Sequence, residues 1–271
     1  MWSVLSQWSF DPVPVCGCTL AAALYWLGSS RRNGRALAFY SGLVVLFLAL
    51  VSPLDTLDLR LQWVHMVQHI LLLVVAPPLI LLGDPFTTAW SGLRRIAPGV
   101  KDPPSWALRT AAWLRGSGRR AALVLALFSV DLLIWHIPAL YNATLQVDAV
   151  HNLEHTLFLA TGILYWDLVV NASPAAGRLS LGGRAAFLMA GMVVSWVLAI
   201  VIGYASQPLY AYPMPANGLS LLQDQQIAAG VMWVPGSIPF VAALFYLLYA
   251  WFEADEEAST PAGVSLPADV R

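Results

Sequence analysis

Residues 61–82 read LQWVHMVQHILLLVVAPPLILL, and this stretch decides the fold. It holds no Asp, Glu, Lys or Arg over 22 residues. Roughly 20 apolar residues cross the hydrocarbon of a bilayer as a helix. A run this long and uncharged therefore predicts a transmembrane helix. Two features do not suit a plain anchor. His65 and His69 stand at i, i+4, on one helix face and one turn apart. Ala76-Pro77-Pro78 interrupts the second half, where neighbouring helices must satisfy the carbonyls that proline leaves free.

Working outward, further apolar runs lie at about 13–30, 36–54, 121–137, 149–170, 184–204 and 225–251. Composition agrees: 59% of the chain is hydrophobic, 11% is charged, and mean hydropathy is +0.68. A soluble domain carries about a quarter charged residues. The expected fold is all-α, a polytopic transmembrane bundle with about seven spans. Residues 1–252 are expected to form a single transmembrane helical domain and 253–271 a disordered cytoplasmic tail. Pro235 and Pro239 predict a kink in the last span. The Pro-, Gly- and Arg-rich stretch 83–120 reads as one long loop. No basic segment precedes the first apolar run, so that span is expected to stay as a helix and not to be cleaved. A net charge of −1 gives no hint of a nucleic-acid partner; the lipid bilayer is the expected surrounding.

The positive charges set the orientation. Arg31, Arg32 and Arg35 follow the first run. Arg94, Arg95, Lys101, Arg109, Arg115, Arg119 and Arg120 follow the third, and Arg178 and Arg184 follow the fifth. Arg60 alone falls in a loop on the other side. Basic loops stay in the cytoplasm, which predicts an external N-terminus and a cytoplasmic C-terminus.

On that topology all five histidines lie in the outer part of the membrane. His65 and His69 occupy the first turns of the third span, and His136 the outer end of the fourth. His151 and His155, again at i, i+4, occupy the first turns of the fifth. Imidazole is the commonest metal ligand, and polar groups inside a membrane face the bundle and mark function. Metal binding is the expected use of the set. Cys16, Cys18, Met66 and Met232 lie on the same side, and soft donors of this kind select Cu(I). The metal expected is copper, as Cu(I) or Cu(II). Cys16 and Cys18 also read as small apolar fillers at a helix start. Glu154 shares the face of His151, and Asp224 opens the last span, where it reads either as part of the metal site or as a helix cap.

Three other readings compete. His151-Asn152-Leu153-Glu154-His155 matches H-x-x-E-H, a zinc protease pattern, but such a site needs a third protein ligand. The downstream carboxylate on the correct side is Asp224. A haem-binding membrane oxidoreductase would use two histidines and leave three unexplained. A copper-resistance-type permease would need ligands along its whole path, whereas the cytoplasmic half has no histidine or cysteine.

The ordered motifs resemble the polytopic CtaG family of cytochrome c oxidase (caa-type) assembly factors. The resemblance is carried by Ser52-Pro53-Leu54-Asp55, by His65-Met66-Val67-Gln68-His69 running into Ala76-Pro77-Pro78, and by Trp135-His136-Ile137-Pro138 with Tyr141-Asn142. It continues through His151-Asn152-Leu153-Glu154-His155, Tyr165-Trp166, Asp224-Gln225-Gln226 with Gly230, Met232-Trp233 and Pro235-Gly236. It runs from about Ser52 to Tyr249. It implies a non-enzymatic, multi-pass protein of the bacterial plasma membrane that helps place copper in a haem–copper oxidase. The family's histidines carry over to His65, His69, His136, His151 and His155. The implied partners are the catalytic subunit of that oxidase and an extracytoplasmic copper donor. Asp167 stands where the family pattern leads one to expect an aromatic residue.

Overall fold

The computed structural model describes residues 7–29, 34–100, 117–170, 179–215 and 217–259. These residues are helical wherever the sequence is apolar, and no strand occurs among them. Helix α1 (Pro12–Gly28) starts on Asp11, whose carboxylate accepts from the Val13 N–H at 2.9 Å, with proline in its first turn. Helix α2 (Gly34–Val51) runs into a short α3 (Leu54–Leu57).

The charge-free stretch 61–82 forms a rod from Gln62 to Leu82. It comprises α4 (Gln62–Ile70), a π-helical turn (Leu71–Val75) and α5 (Ala76–Leu82). Pro77 and Pro78 explain the π turn. Each lacks an N–H and would crowd the carbonyl four residues back, so the chain widens just before them and the Ala76 N–H donates to Leu71 O. Gly162 fits against this widened backbone; a Cβ there would stand 2.7 Å from Leu73 O.

Residues 85–96 are helical where a loop was expected. Helix α6 (Pro85–Ile96) begins on proline and ends on Arg94 and Arg95, charges that suit a helix C-terminus. It packs against α1 so closely that a Cβ on Gly92 would overlap Leu24 O. Lys101, Arg109 and Arg115 lie outside the described residues.

Helix α7 (Ser117–Trp135) and α8 (Pro138–Thr144) meet at a 76° bend. Pro138 begins α8, and His136 sits in the bend. Helices α9 (Asp148–Val170), α10 (Leu181–Gly203) and α11 (Leu221–Ser259) complete the bundle. Pro235 and Pro239 lie inside α11 without ending it. The helix continues past residue 252 to Ser259, and residues 260–271 lie outside the described residues.

Five of these elements are long and apolar enough to cross a membrane, or six if the bent α7–α8 pair counts as one span. Helix α1 is apolar but shorter, at 17 residues. The rod 62–82 packs on α2, α9 and α11, so what it carries is enclosed from three sides. Arg35, Arg94, Arg95, Arg119, Arg120 and Arg184 all sit at helix ends remote from the histidines. At that remote end Asp167 forms a 2.7 Å ion pair with Arg120, which accounts for a carboxylate in an apolar helix.

Candidate metal centre

Two helix faces build the site. Helix α4 presents His65 and His69 one turn apart, and α9 presents His151, Glu154 and His155 at i, i+3 and i+4. The faces meet ring against ring. The His65 ring centroid lies 5.2 Å from that of His151 and 6.1 Å from that of His155, and His69 lies 5.6 Å from His155. The α7–α8 bend brings in His136, 6.1 Å from His69. All five histidines are buried and share one end of the bundle.

Glu154 reaches between the rings of α4. Its carboxylate oxygens lie 3.5 Å from His65 Nε2 and 3.5 Å from His69 Nε2, and the residue has no exposed surface. The donor atoms of His65, His151, Glu154 and His155 lie within 4.8 Å of one another. The Nε2 atoms of all three histidines and both Glu154 oxygens are buried without a hydrogen-bond partner. Buried polar atoms are rarely left so, and each asks for a partner. One carboxylate and three imidazoles aimed at a common point answer that demand with a cation; such donors suit copper, zinc, iron or nickel.

A further layer holds the rings. His65 Nδ1 lies 2.7 Å from Tyr212 Oη, which lies 2.9 Å from Tyr141 Oη. Tyr212 comes from the loop between α10 and α11. Burial pushes its phenol well above the usual value, so it stays a neutral hydroxyl. Asp58 is fully buried, with Oδ2 3.3 Å from His151 Nε2. The Tyr212 hydroxyl, on the nitrogen opposite Nε2, is the kind of partner that orients a metal-binding histidine; Asp58 meets Nε2 of His151 itself and sets a second carboxylate beside the donors.

Residues 20–254 match the family described as cytochrome c oxidase caa3 assembly factor (Caa3_CtaG). The chain belongs to that family. Among curated proteins, it is 25% identical over 273 residues to an uncharacterized protein of Mycobacterium bovis, covering 95% of this chain and 41% of the relative. An uncharacterized protein of Mycobacterium leprae is 24% identical over 242 residues, covering 86% of this chain and 36% of the relative. The chain thus spans about two-fifths of the length of the curated relatives it matches. No solved structure matches it.

In this CtaG-family chain the other predicted site residues divide. Cys16 is exposed and Cys18 half-buried on α1, outside the donor cluster. Cys18 lines, with Asp55 and His155, a separate cleft of about 420 Å³. Met66 and Met232 line a small cavity beside His69 and His136. Asp224 is a cap, but for another helix: its carboxylate accepts from the Gln62 N–H at 2.8 Å and the Trp63 N–H at 3.5 Å, at the start of α4. It thereby holds the histidine-bearing helix in place and stands apart from the donors. Asp224 is therefore not the third ligand that the zinc protease reading took from downstream of His151 and His155. Asp131, deeper in α7, accepts from Thr161 Oγ1 at 2.7 Å and Trp135 Nε1 at 3.0 Å, tying α7 to α9.

Sequence reasoning missed Asp58 and Tyr212. Asp58 stands in a run of ordinary turn residues, and Tyr212 in a loop far from either histidine pair. The one signal was Asp58 itself, a second carboxylate three residues after Asp55 and just before the charge-free stretch.

Proposed function

We propose that this protein holds copper at the imidazole–carboxylate centre and helps to metallate the copper site of a haem–copper cytochrome c oxidase. The observation that carries the reading is the convergence of one ring nitrogen each from His65, His151 and His155 with a carboxylate oxygen of the buried Glu154, all within 4.8 Å of one another, in a member of a caa3 oxidase assembly family. His69 and His136 border the same centre. Copper is here cargo: the residues must bind it, shield it from water and release it, and no bond in a substrate need be broken.

The arginine-bearing helix ends support, by the positive-inside rule, a histidine end at the outer face of a bacterial plasma membrane. Copper would then come from an extracytoplasmic donor protein and pass, within the membrane, to the catalytic subunit of the oxidase. A permease would need donors at the arginine end as well, where the described residues offer no imidazole or thiol. A haem would need a planar gap, whereas these rings already meet tilted or edge to face, with centroids 4.1–6.1 Å apart.

The test is a deletion strain. Its oxidase catalytic subunit should be made and inserted but deficient in copper and activity. Raised copper in the medium should restore part of the activity by mass action; iron or a haem precursor should not. His65→Ala and His155→Ala should behave like the deletion, and Arg60→Ala like the parent. Normal oxidase with full copper in the deletion strain overturns the reading. Loss of haem with copper retained replaces it with a haem-handling role.

A further inference from the structure

The five histidines do not all belong to one donor set. His65, His151, Glu154 and His155 converge, whereas His69 and His136 turn to a different space. This is a cavity of about 40 Å³ between the rod 62–82, α7, α10 and α11, and its donor-bearing walls are Met66, His69, His136 and Met232. A cavity measured this way needs about 10–15 Å³ to admit one water, so this one has room for a small ion with at most a few waters. Gly236, one turn beyond Met232, also lines it.

His136 is the observation that two buried methionines alone would not supply. Its Nδ1 lies 2.7 Å from Leu132 O. A carbonyl only accepts, so Nδ1 carries the proton, and the neutral ring keeps its lone pair on Nε2. That Nε2 is buried with no partner, and both ring nitrogens of His69 are unpartnered too. A backbone carbonyl fixing one nitrogen so that the other meets a metal is the usual second layer of a histidine metal site. The rest of the lining is apolar but for Ser195, whose hydroxyl donates to Gly191 O at 3.2 Å. It disfavours a divalent ion with no counter-charge and suits a singly charged soft ion held by thioether and imidazole.

We propose that Met66, His69, His136 and Met232 form a second metal site, selective for Cu(I), adjoining the imidazole–carboxylate centre. The proposal takes copper as the cargo from the preceding section and divides its binding between two sites. His69 is the contact between them: its Nε2 lies 3.5 Å from Glu154, and its ring also lines the soft cavity. The harder centre has a full carboxylate and accepts a divalent ion; the softer one has none. No change of oxidation state is required for either site to fill.

The experiment uses the full chain, purified in detergent and stripped of metal. It is titrated without oxygen with Cu(I) against a chromophoric Cu(I) chelator, and separately with Zn(II). X-ray absorption on the loaded protein reads sulfur around copper. The expected result is two Cu(I) per chain with sulfur scattering, and one Zn(II). Met66→Leu and Met232→Leu, which keep volume and apolarity, should each lose one Cu(I) and the sulfur signal while still binding one Zn(II). Glu154→Gln should lose the Zn(II) and keep the sulfur signal. A single Cu(I) with nitrogen and oxygen neighbours overturns the second site, as does a Met66→Leu/Met232→Leu protein that still binds two. Failure of the assembly role is read separately, in the oxidase copper of the deletion strain.

Discussion

Helix α9 carries two buried carboxylates, thirteen residues and roughly 20 Å apart, and they live under opposite terms. Asp167 has Arg120 at 2.7 Å and is electrically complete. Glu154 has imidazoles around it, and neither of its oxygens is hydrogen-bonded. The first is a structural tie between α7 and α9. The second is an incomplete shell, stable only because the same bundle encloses it from several sides. A buried charge inside a membrane does not by itself mark function; what marks it is a carboxylate whose neighbours are further metal-ligating groups and not an arginine.

The largest expected effect comes from breaking the complete pair. Arg120→Ala should destabilise the protein by roughly 3 kcal/mol, because it breaks a largely buried ion pair. Thermal unfolding in detergent would show the loss, and Arg120→Leu/Asp167→Leu should recover most of it. Metal capacity of the folded fraction should be unchanged in both. A fall in metal binding with unaltered melting would erase the contrast between the two ends.

The opposite pattern is expected at the incomplete site. Glu154→Gln keeps shape but removes the charge, so metal-free melting should hold or rise, while affinity for a divalent ion at that centre should fall on the order of 100-fold. Competition titration and melting of the same sample make the check. A Glu154→Gln protein that melts early and still binds metal would class Glu154 with Asp167.

The smallest effect concerns the layer behind the ligands. Tyr212→Phe removes the hydroxyl beside His65 Nδ1 without altering packing. Affinity should fall about tenfold, with the number of bound ions unchanged. An unaltered affinity would leave Tyr212 a packing residue.

Most of the bundle was legible in the sequence because membrane helices must be long, apolar and flanked by asymmetric charge, and each of those is written locally. The histidine pairs were legible for the same reason: i, i+4 spacing is a statement about one helix. What could not be read depended on folding between helices. Asp224 looked like the cap of its own helix and caps one that starts 162 residues earlier. Asp58 and Tyr212 reach the site from loops whose course no periodicity describes. Met66 and Met232 read as members of one large cluster, and only the packing of α11 against the rod separates them from Glu154. Residues 85–96 read as loop because their polar face hid a helix whose other face meets α1 through Gly92.

The phenols beside His65 have a consequence for how the centre's state is felt elsewhere. With Nε2 protonated and no ion bound, Nδ1 accepts from Tyr212, which in turn accepts from Tyr141. An ion on Nε2 displaces that proton, so Nδ1 must carry one and donate to Tyr212, and Tyr212 must turn its own hydrogen to Tyr141. Filling the centre therefore reverses a chain of two hydrogen bonds that passes through the loop between α10 and α11 and ends on Tyr141 in α8. The direction of two buried phenol hydrogens records whether an ion is bound, and it couples the centre to an element that carries none of its ligands.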